Sequence, residues 1–260
     1  MAGLHPGAVY GLFKELRVAA HEEGPLVVEG PPALADALRR ELAHGARPGA
    51  VRGGGPKGAD AFVLVLAGEL GAEDEHRLKL AHRQGVPTVV VLAGPGLERR
   101  IPYVLATDVV EVPAGSGFPV EEIAKAVAAR MGEQGTSLAA RVPVLRQAVC
   151  EQLIETFSRR NAAVGAAVFI PGADFPVITL GQLRLVLCLA AAHGVEVDRE
   201  RLPEVLAVIA GGLGLRGLAR QALRFVPVAG WLVRSSVAYA GTRAVGEAAM
   251  RYFAARAERS

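Results

Sequence analysis

Residues 61–94, AFVLVLAGELGAEDEHRLKLAHRQGVPTVVVLAG, decide the fold class. Phe62–Leu66 is a short unbroken apolar run, the pattern of a strand buried on both faces. A charged segment at 72–84 follows, with Glu75 four residues before Lys79, the favourable order for a helical ion pair. Gly85 and Pro87 stop that helix, and Val89–Leu92 returns to strand. Strands separated by a helix imply a parallel sheet with right-handed crossovers.

The same alternation extends in both directions. Upstream, Leu26–Glu29 is a short apolar run ending in Gly30, Pro31 and Pro32, and Leu34, Leu38 and Leu42 then form a helical stripe. Residues 46–60 are a glycine-rich loop with room for one short strand at most. Downstream, Val109–Val112 reads as a strand, and Val120, Ile123, Val127 and Met131 stripe a closing helix. After Gly132–Gly135 the strand signal stops. Leu138, Val142, Leu145, Val149, Leu153 and Phe157 recur at spacings of three and four, the pattern of one long helix. Further helices are predicted at 177–193, 199–210, 213–225 and 230–257, and a short amphipathic one at 6–21. The expected fold class is therefore α/β plus all-α, a Rossmann-like parallel sheet followed by a helical bundle, with a boundary near 133–137.

The 260 residues carry a formal charge of only +3, too small by itself for a nucleic-acid protein. That total hides a split. Residues 1–140 hold 14 basic and 17 acidic side chains, whereas 141–260 hold 15 and 9, every basic one an arginine. Such asymmetry points to two jobs in one chain. Cys150 and Cys188 form neither a metal-ligand spacing nor a disulfide framework, which favours a reducing cytoplasm. Lys14, Glu15 and Arg17 interrupt the first apolar stretch and argue against a secretory signal. The most apolar segment, 161–183, is broken by Pro171, Asp174 and Pro176, so ordinary membrane spans are disfavoured.

A strand, a glycine turn and a helix invite a phosphate-site test. Counted from Gly30, the Walker pattern meets Ala35, Asp36 and Ala37 where glycine, lysine and a hydroxyl residue belong. A carboxylate thus replaces the cation, and the magnesium ligand is gone. The loop Arg52-Gly53-Gly54-Gly55-Pro56-Lys57 is a weaker alternative, since its amides and two cations have the composition of an anion cradle, although a surface connection explains it as well. Gly212-Leu213-Gly214-Leu215-Arg216-Gly217 fits the dinucleotide glycine pattern, yet no acid lies between Gly217 and Glu247 to hold a ribose. None of the six histidines lies in a zinc-protease motif, and Gly115-Ser116-Gly117 lacks the outer spacing of a nucleophile elbow. No catalytic residue, metal or cofactor is expected, which leans against an enzyme.

Residues 61–94 resemble the strand–helix–strand of a small GTPase, with Ala93, Gly94, Pro95 and Gly96 in place of its Asn-Lys-x-Asp. VVEVPAGSGFPVEEIAKAV resembles the next strand and last helix, with Pro113-Ala114 at the Ser-Ala positions. An unrelated flavodoxin-like lobe is the alternative. Residues 140–257 resemble the uncharacterised helical domain that accompanies Era-type GTPases in bacteria, found also in YcjF-like inner-membrane proteins. The segments that carry this are IPGADFPVITLGQLRLVLCLAAAHG (170–194) and LARQALRFVPVAGWLVRSSVAYAGTRAVGEAAMRYF (218–253). Within them Pro171, Asp174, Pro176, Gln182 and Gly194, then Pro227, Gly230, Thr242, Ala244 and Gly246, match the family, while His193 stands where it more often has tyrosine. The resemblance implies association with GTPases or membranes and supplies no reaction.

Three parts are thus expected: an N-terminal helix or arm at 1–23, a degenerate GTPase-like α/β domain at 24–133, and a helical GTPase-associated domain at 137–260. Arg216, Arg220 and Arg224 share one helical face opposite Leu215, Leu218 and Phe225, which suits an anionic membrane surface or a partner. Ser235, Ala238, Thr242, Gly246 and Ala249 form a small-residue stripe that permits close helix approach. The expected role is that of a non-catalytic regulatory or scaffold protein of the bacterial cytoplasm, working at or near the inner membrane. Its expected partner is a protein, a GTPase among the candidates, with an anionic membrane surface and a second copy of the chain as further options and no nucleic acid. The rivals are a nucleotide-binding protein that uses Arg52 and Lys57 as cations, and an integral membrane protein with hairpins at 161–194 and 204–242.

Overall fold

The computed structural model describes residues 24–94, 100–113, 115–167, 175–195, 207 and 231–257. By their contacts, the described residues up to Gln152 form one compact unit and those from Leu153 onward another. The chain is mixed α/β.

The first unit is built on five parallel strands, β1 (Leu26–Glu29), β2 (Val51–Arg52), β3 (Ala61–Leu66), β4 (Thr88–Leu92) and β5 (Val109–Glu111), in the order β2-β1-β3-β4-β5. Every residue of β3 and β4 is buried, as the unbroken apolar runs require. Phe62, Leu64 and Leu66, which share one face of β3, pack with Leu78 and Ala81 of α2 (Ala72–Arg83). Helix α1 (Pro32–Leu42) buries Ala35, Leu38 and Leu42, and α3 (Val120–Met131) buries Ile123, Val127 and Met131. The predicted strands and helices between Leu26 and Met131 are therefore present. The Glu75–Lys79 pair is not among the ion pairs. Arg77 instead binds Glu73 at 2.6 Å and Asp74 at 3.1 Å.

Two glycines explain how this sheet turns its corners. Gly85 has φ +68, and the amide of Val86 donates to the carbonyl of Ala81, closing α2 in a left-handed cap. Gly30 has φ +140, and a Cβ on it would stand 2.3 Å from the carbonyl oxygen of Val65. Only glycine lets the end of β1 pass so close to β3.

Beyond Met131 the single long helix predicted from 138 to 157 is two helices, α4 (Gly135–Arg141) and α5 (Pro143–Ala167). Pro143 is the reason. A residue before proline is driven out of the helical region, and Val142 sits at φ −123, ψ 87. Helix α4 is tied to the sheet. Arg141, 7% exposed, donates through Nη2 to Asp60 Oδ2 and to the carbonyl of Gly24, both at 2.8 Å, while the amide of Gly24 donates to Asp60 Oδ1 at 3.0 Å. Gly24 precedes β1 and Asp60 precedes β3, so this ion pair clasps the amino ends of the two central strands. By their contacts residues 137–152, assigned by periodicity to the helical domain, group with the sheet, and the division falls at 152–153 inside α5.

The second unit contains the remainder of α5, then α6 (Phe175–Ala192) and α7 (Trp231–Ala257). Leu185 through Ala190 are buried all round the helix, which marks α6 as central among its neighbours. Helix α7 shows a narrow buried stripe of Ala238, Thr242, Ala249 and Phe253. The helices predicted at 6–21, 199–210 and 213–225 lie outside the described residues, Ala207 apart.

Candidate functional site

In open parallel sheets ligands bind outside the carboxyl ends of the strands, beside the point where the strand order reverses. Here that point lies between β1 and β3, where the chain leaves β1 at Glu29 and enters α1. A phosphate cradle needs free backbone amides at this turn. Pro31 and Pro32 have none. The amides of Leu34 and Ala35 donate to the carbonyl of Pro31 at 3.0 and 2.9 Å, the ordinary closure of a helix start. Asp36 follows on the exposed side of α1, paired with Arg39.

The glycine loop faces the same end. Its Gly54 amide donates to the carboxylate of Glu29, and Glu29 also lies 4.0 Å from Arg77. The group that an anion would use is therefore already bonded to an internal carboxylate. Arg52 and Lys57 are exposed, and the guanidinium close to Gly53 belongs to Arg39. Around this turn Glu29, Asp36, Glu73 and Asp74 are matched by Arg39 and Arg77 in ion pairs, so these cations already face internal carboxylates.

Past β4 and β5 the same end has a cavity of about 400 Å³, lined by Leu34, Ala93, Gly94, Pro113, Ser116 and Phe118 among others. Among the described residues its lining carries no charge, and no carboxylate stands at Ala93 or Gly94 to read a purine edge. Pro95, Gly96 and Ala114 lie outside the described residues. Among the described residues no group of three or more His, Cys, Asp or Glu side chains is placed to hold a metal. Burial pushes the Cys150 thiol up to about 12, so it is not a nucleophile at neutral pH.

The helical unit holds a different constellation. Asn161 of α5, 4% exposed, donates from Nδ2 to Thr242 Oγ1 of α7 at 2.9 Å, and Gln182 of α6 donates to the same oxygen at 3.4 Å. Thr242 thus ties three helices together through one hydroxyl. Room for this comes from small residues. A Cβ on Gly181 would meet Asn161 Oδ1 at 2.6 Å, and one on Gly246 would meet Ile154 Cγ1 at 2.7 Å. Ser158, one turn from Asn161, has a buried hydroxyl with no partner. Gly194 at φ +69 caps α6, with the Val195 amide donating to the Ala190 carbonyl at 2.9 Å. His193 Nδ1–H donates to the Leu189 carbonyl at 2.9 Å, and its ring lies 6.2 Å from that of Phe253.

Of the sequence-derived positions, Gln182 and Thr242 come together, Gly194 and Gly246 serve a cap and a close approach, and Ala244 is half-buried in α7. Pro176 falls in the first turn of α6, where a helix does not use the missing N–H. Pro171, Asp174, Pro227, Gly230, Arg216, Arg220 and Arg224 lie outside the described residues. Sequence reasoning missed Glu29, Asn161 and Arg141. Asn161 carried a signal, for it continues the Leu153–Phe157 stripe by four residues and is its one polar member. Among the described residues no helix is long and apolar enough to cross a membrane. Comparison of the chain with protein-family models, with curated proteins and with solved structures finds no match.

Proposed function

We propose that the chain is a non-catalytic regulatory or scaffold protein that acts by binding a protein partner, a GTPase among the candidates, at or near the inner membrane. In this reading the first unit is a Rossmann-like, degenerate GTPase-type domain and the second a helical, YcjF-like GTPase-associated domain. The observation that carries it is the turn after β1, where Pro31 and Pro32 remove amides and Glu29 occupies the Gly54 amide. A turn built this way offers few amides to a phosphate, while the surfaces of the lobe remain for a partner. The strand order and the burial of β3 and β4 support a doubly wound lobe, an order that the flavodoxin-like alternative shares. Titration of purified protein with fluorescent GTP and ATP analogues should show no saturable binding. Micromolar affinity with measurable turnover would overturn the reading. Washing membranes with salt and then carbonate tests the location: release by salt fits a peripheral protein, and retention after carbonate fits the inserted rival.

A further inference from the structure

The connection from β4 to β5 presents an apolar pair that the fold does not bury. Tyr103 is 43% exposed and Leu105 59%, and they are two of only four large hydrophobic side chains so exposed among the described residues. Tyr103 is also the only described non-glycine residue with positive φ, at +67. For a bulky L-residue this conformation is disfavoured, and such strain is retained where a side chain is held in place for use. What it holds is a ring against a ring: Tyr103 lies 5.5 Å from His82, in the last turn of α2, at an interplanar angle of 39°. Ile101, 7% exposed and part of the sheet core, anchors the other end of the segment.

The described charges on the neighbouring stretches are basic, and the connection itself carries Glu98 beside Arg99 and Arg100 in sequence, a net positive balance. Lys79, His82, Arg83 and Arg100 are exposed, and between Arg77 and Thr107 no Asp or Glu occurs among the described residues. The carboxylates of α2, Glu73, Asp74 and Glu75, all belong to its first turn at the opposite end. Tyrosine and arginine are the residue types enriched at interface hot spots when a partner covers them, and the neighbouring leucine adds apolar area.

We propose that Tyr103 with its stacked His82, Leu105 and the cations Lys79, Arg83 and Arg100 form a docking face for an acidic segment of a protein partner, which places an apolar anchor between the carboxylates. The proposal rests on the partner-binding reading above and adds where the partner sits and what its chemistry is. An anionic bilayer is the weaker fit, because membrane adsorption draws on the long apolar face of an amphipathic helix. Here the apolar surface is two side chains in a short connection.

The test uses the full chain and a short fluorescein-labelled peptide, acidic except for a central leucine–phenylalanine pair, read by anisotropy. Saturable binding is expected, weakened roughly 10-fold or more by Tyr103→Asn, by the double change R83E/R100E, by alanine in place of the peptide's apolar pair, and by high salt. Asparagine tolerates the left-handed region, so Tyr103→Asn should keep or raise the urea midpoint while losing the peptide. That separates a docking role from a structural one. The proposal falls if the peptide does not bind saturably, or if Tyr103→Asn binds it as well as wild type. It also falls if the chain adsorbs to phosphatidylglycerol–phosphatidylethanolamine vesicles through this face and ignores the peptide. Peptide failure together with absent nucleotide binding removes this face alone, whereas GTP binding removes the wider reading.

Discussion

The two units solve the same problem with opposite chemistry. Each buries a polar cluster that joins elements distant in sequence, but the sheet unit uses a charge pair, Arg141 with Asp60, and the helical unit uses a neutral triad, Asn161, Gln182 and Thr242. A charge pair reaches across a gap and binds strongly through few atoms, which suits tying α4 to two strand ends. It also leaves an expensive orphan if either partner is lost. A neutral triad needs backbones close together, hence Gly181 and Gly246 at its edges, and its loss leaves weaker orphans.

The largest effect should therefore come from Arg141→Ala. Asp60 keeps 21% of its side-chain exposure, which places the expected loss near the low end for a broken buried pair, about 3 kcal/mol. Urea unfolding measures it, with the sheet unit affected before the helical one. A loss below about 1 kcal/mol would show that solvent replaces the clasp and that residues 135–141 do not depend on the sheet.

Next comes Thr242→Val, which keeps shape and removes the shared acceptor. Two amide donors lose a partner, Asn161 keeping only its longer bond to the Ile178 carbonyl at 3.5 Å, so destabilisation of about 1–3 kcal/mol is expected. The double change N161L/T242V should recover part of that loss, because an apolar pair leaves fewer groups unsatisfied. Absence of recovery would mean that the triad does more than fill space. Of the two central claims, this is the one a stability series can break.

Effects confined to the extremes of pH come from titration. The Cys150 thiol rises from 9.0 to about 12 through burial. A group held neutral in this way lends stability that is complete below its unfolded value and disappears as pH climbs through the folded one. Stability should thus fall between pH 9 and 12, and Cys150→Ala should flatten that slope. Both cysteines are buried, so a thiol reagent at pH 8 should react only after denaturant is added.

Much of this contrast was legible in the chain. Unbroken apolar runs such as Phe62–Leu66 announce strands covered on both faces, and Gly85 marks a helix end, because both depend on a few neighbouring residues. The break at Val142 was written as plainly, in the proline that follows it, but an apolar stripe running through the break masked it. Asp60 and Arg141 stand 81 residues apart, so no local pattern couples them. At the candidate site the missing lysine and hydroxyl were visible in sequence. Glu29 was not, since its role arises from a loop 25 residues away.

The finest distinction between the units concerns charge at their surfaces. Glu155 on α5 accepts from the hydroxyl of Tyr239 on α7 at 2.7 Å and from Arg159 at 2.6 Å. The Tyr239 hydroxyl foremost holds its carboxyl below the ordinary 4.5; desolvation opposes it next, and Arg159 and Arg243 add to the lowering. A depressed carboxylate contributes stability that is present above its unfolded value and lost as pH falls through the folded one. The helical unit should therefore lose a little stability as pH drops from 4.5 downwards. Tyr239→Phe removes the leading cause and should shrink that acid slope while leaving neutral-pH stability within about 0.5–1 kcal/mol of wild type. Circular dichroism melts at several acid pH values resolve the difference. An unchanged slope would assign it to other carboxylates. A large loss at neutral pH would mean instead that this contact at the edge of α5 and α7 holds the helices together as firmly as the buried Asn161–Thr242 bond, and the division between a neutral core and a merely screened charged rim would fail.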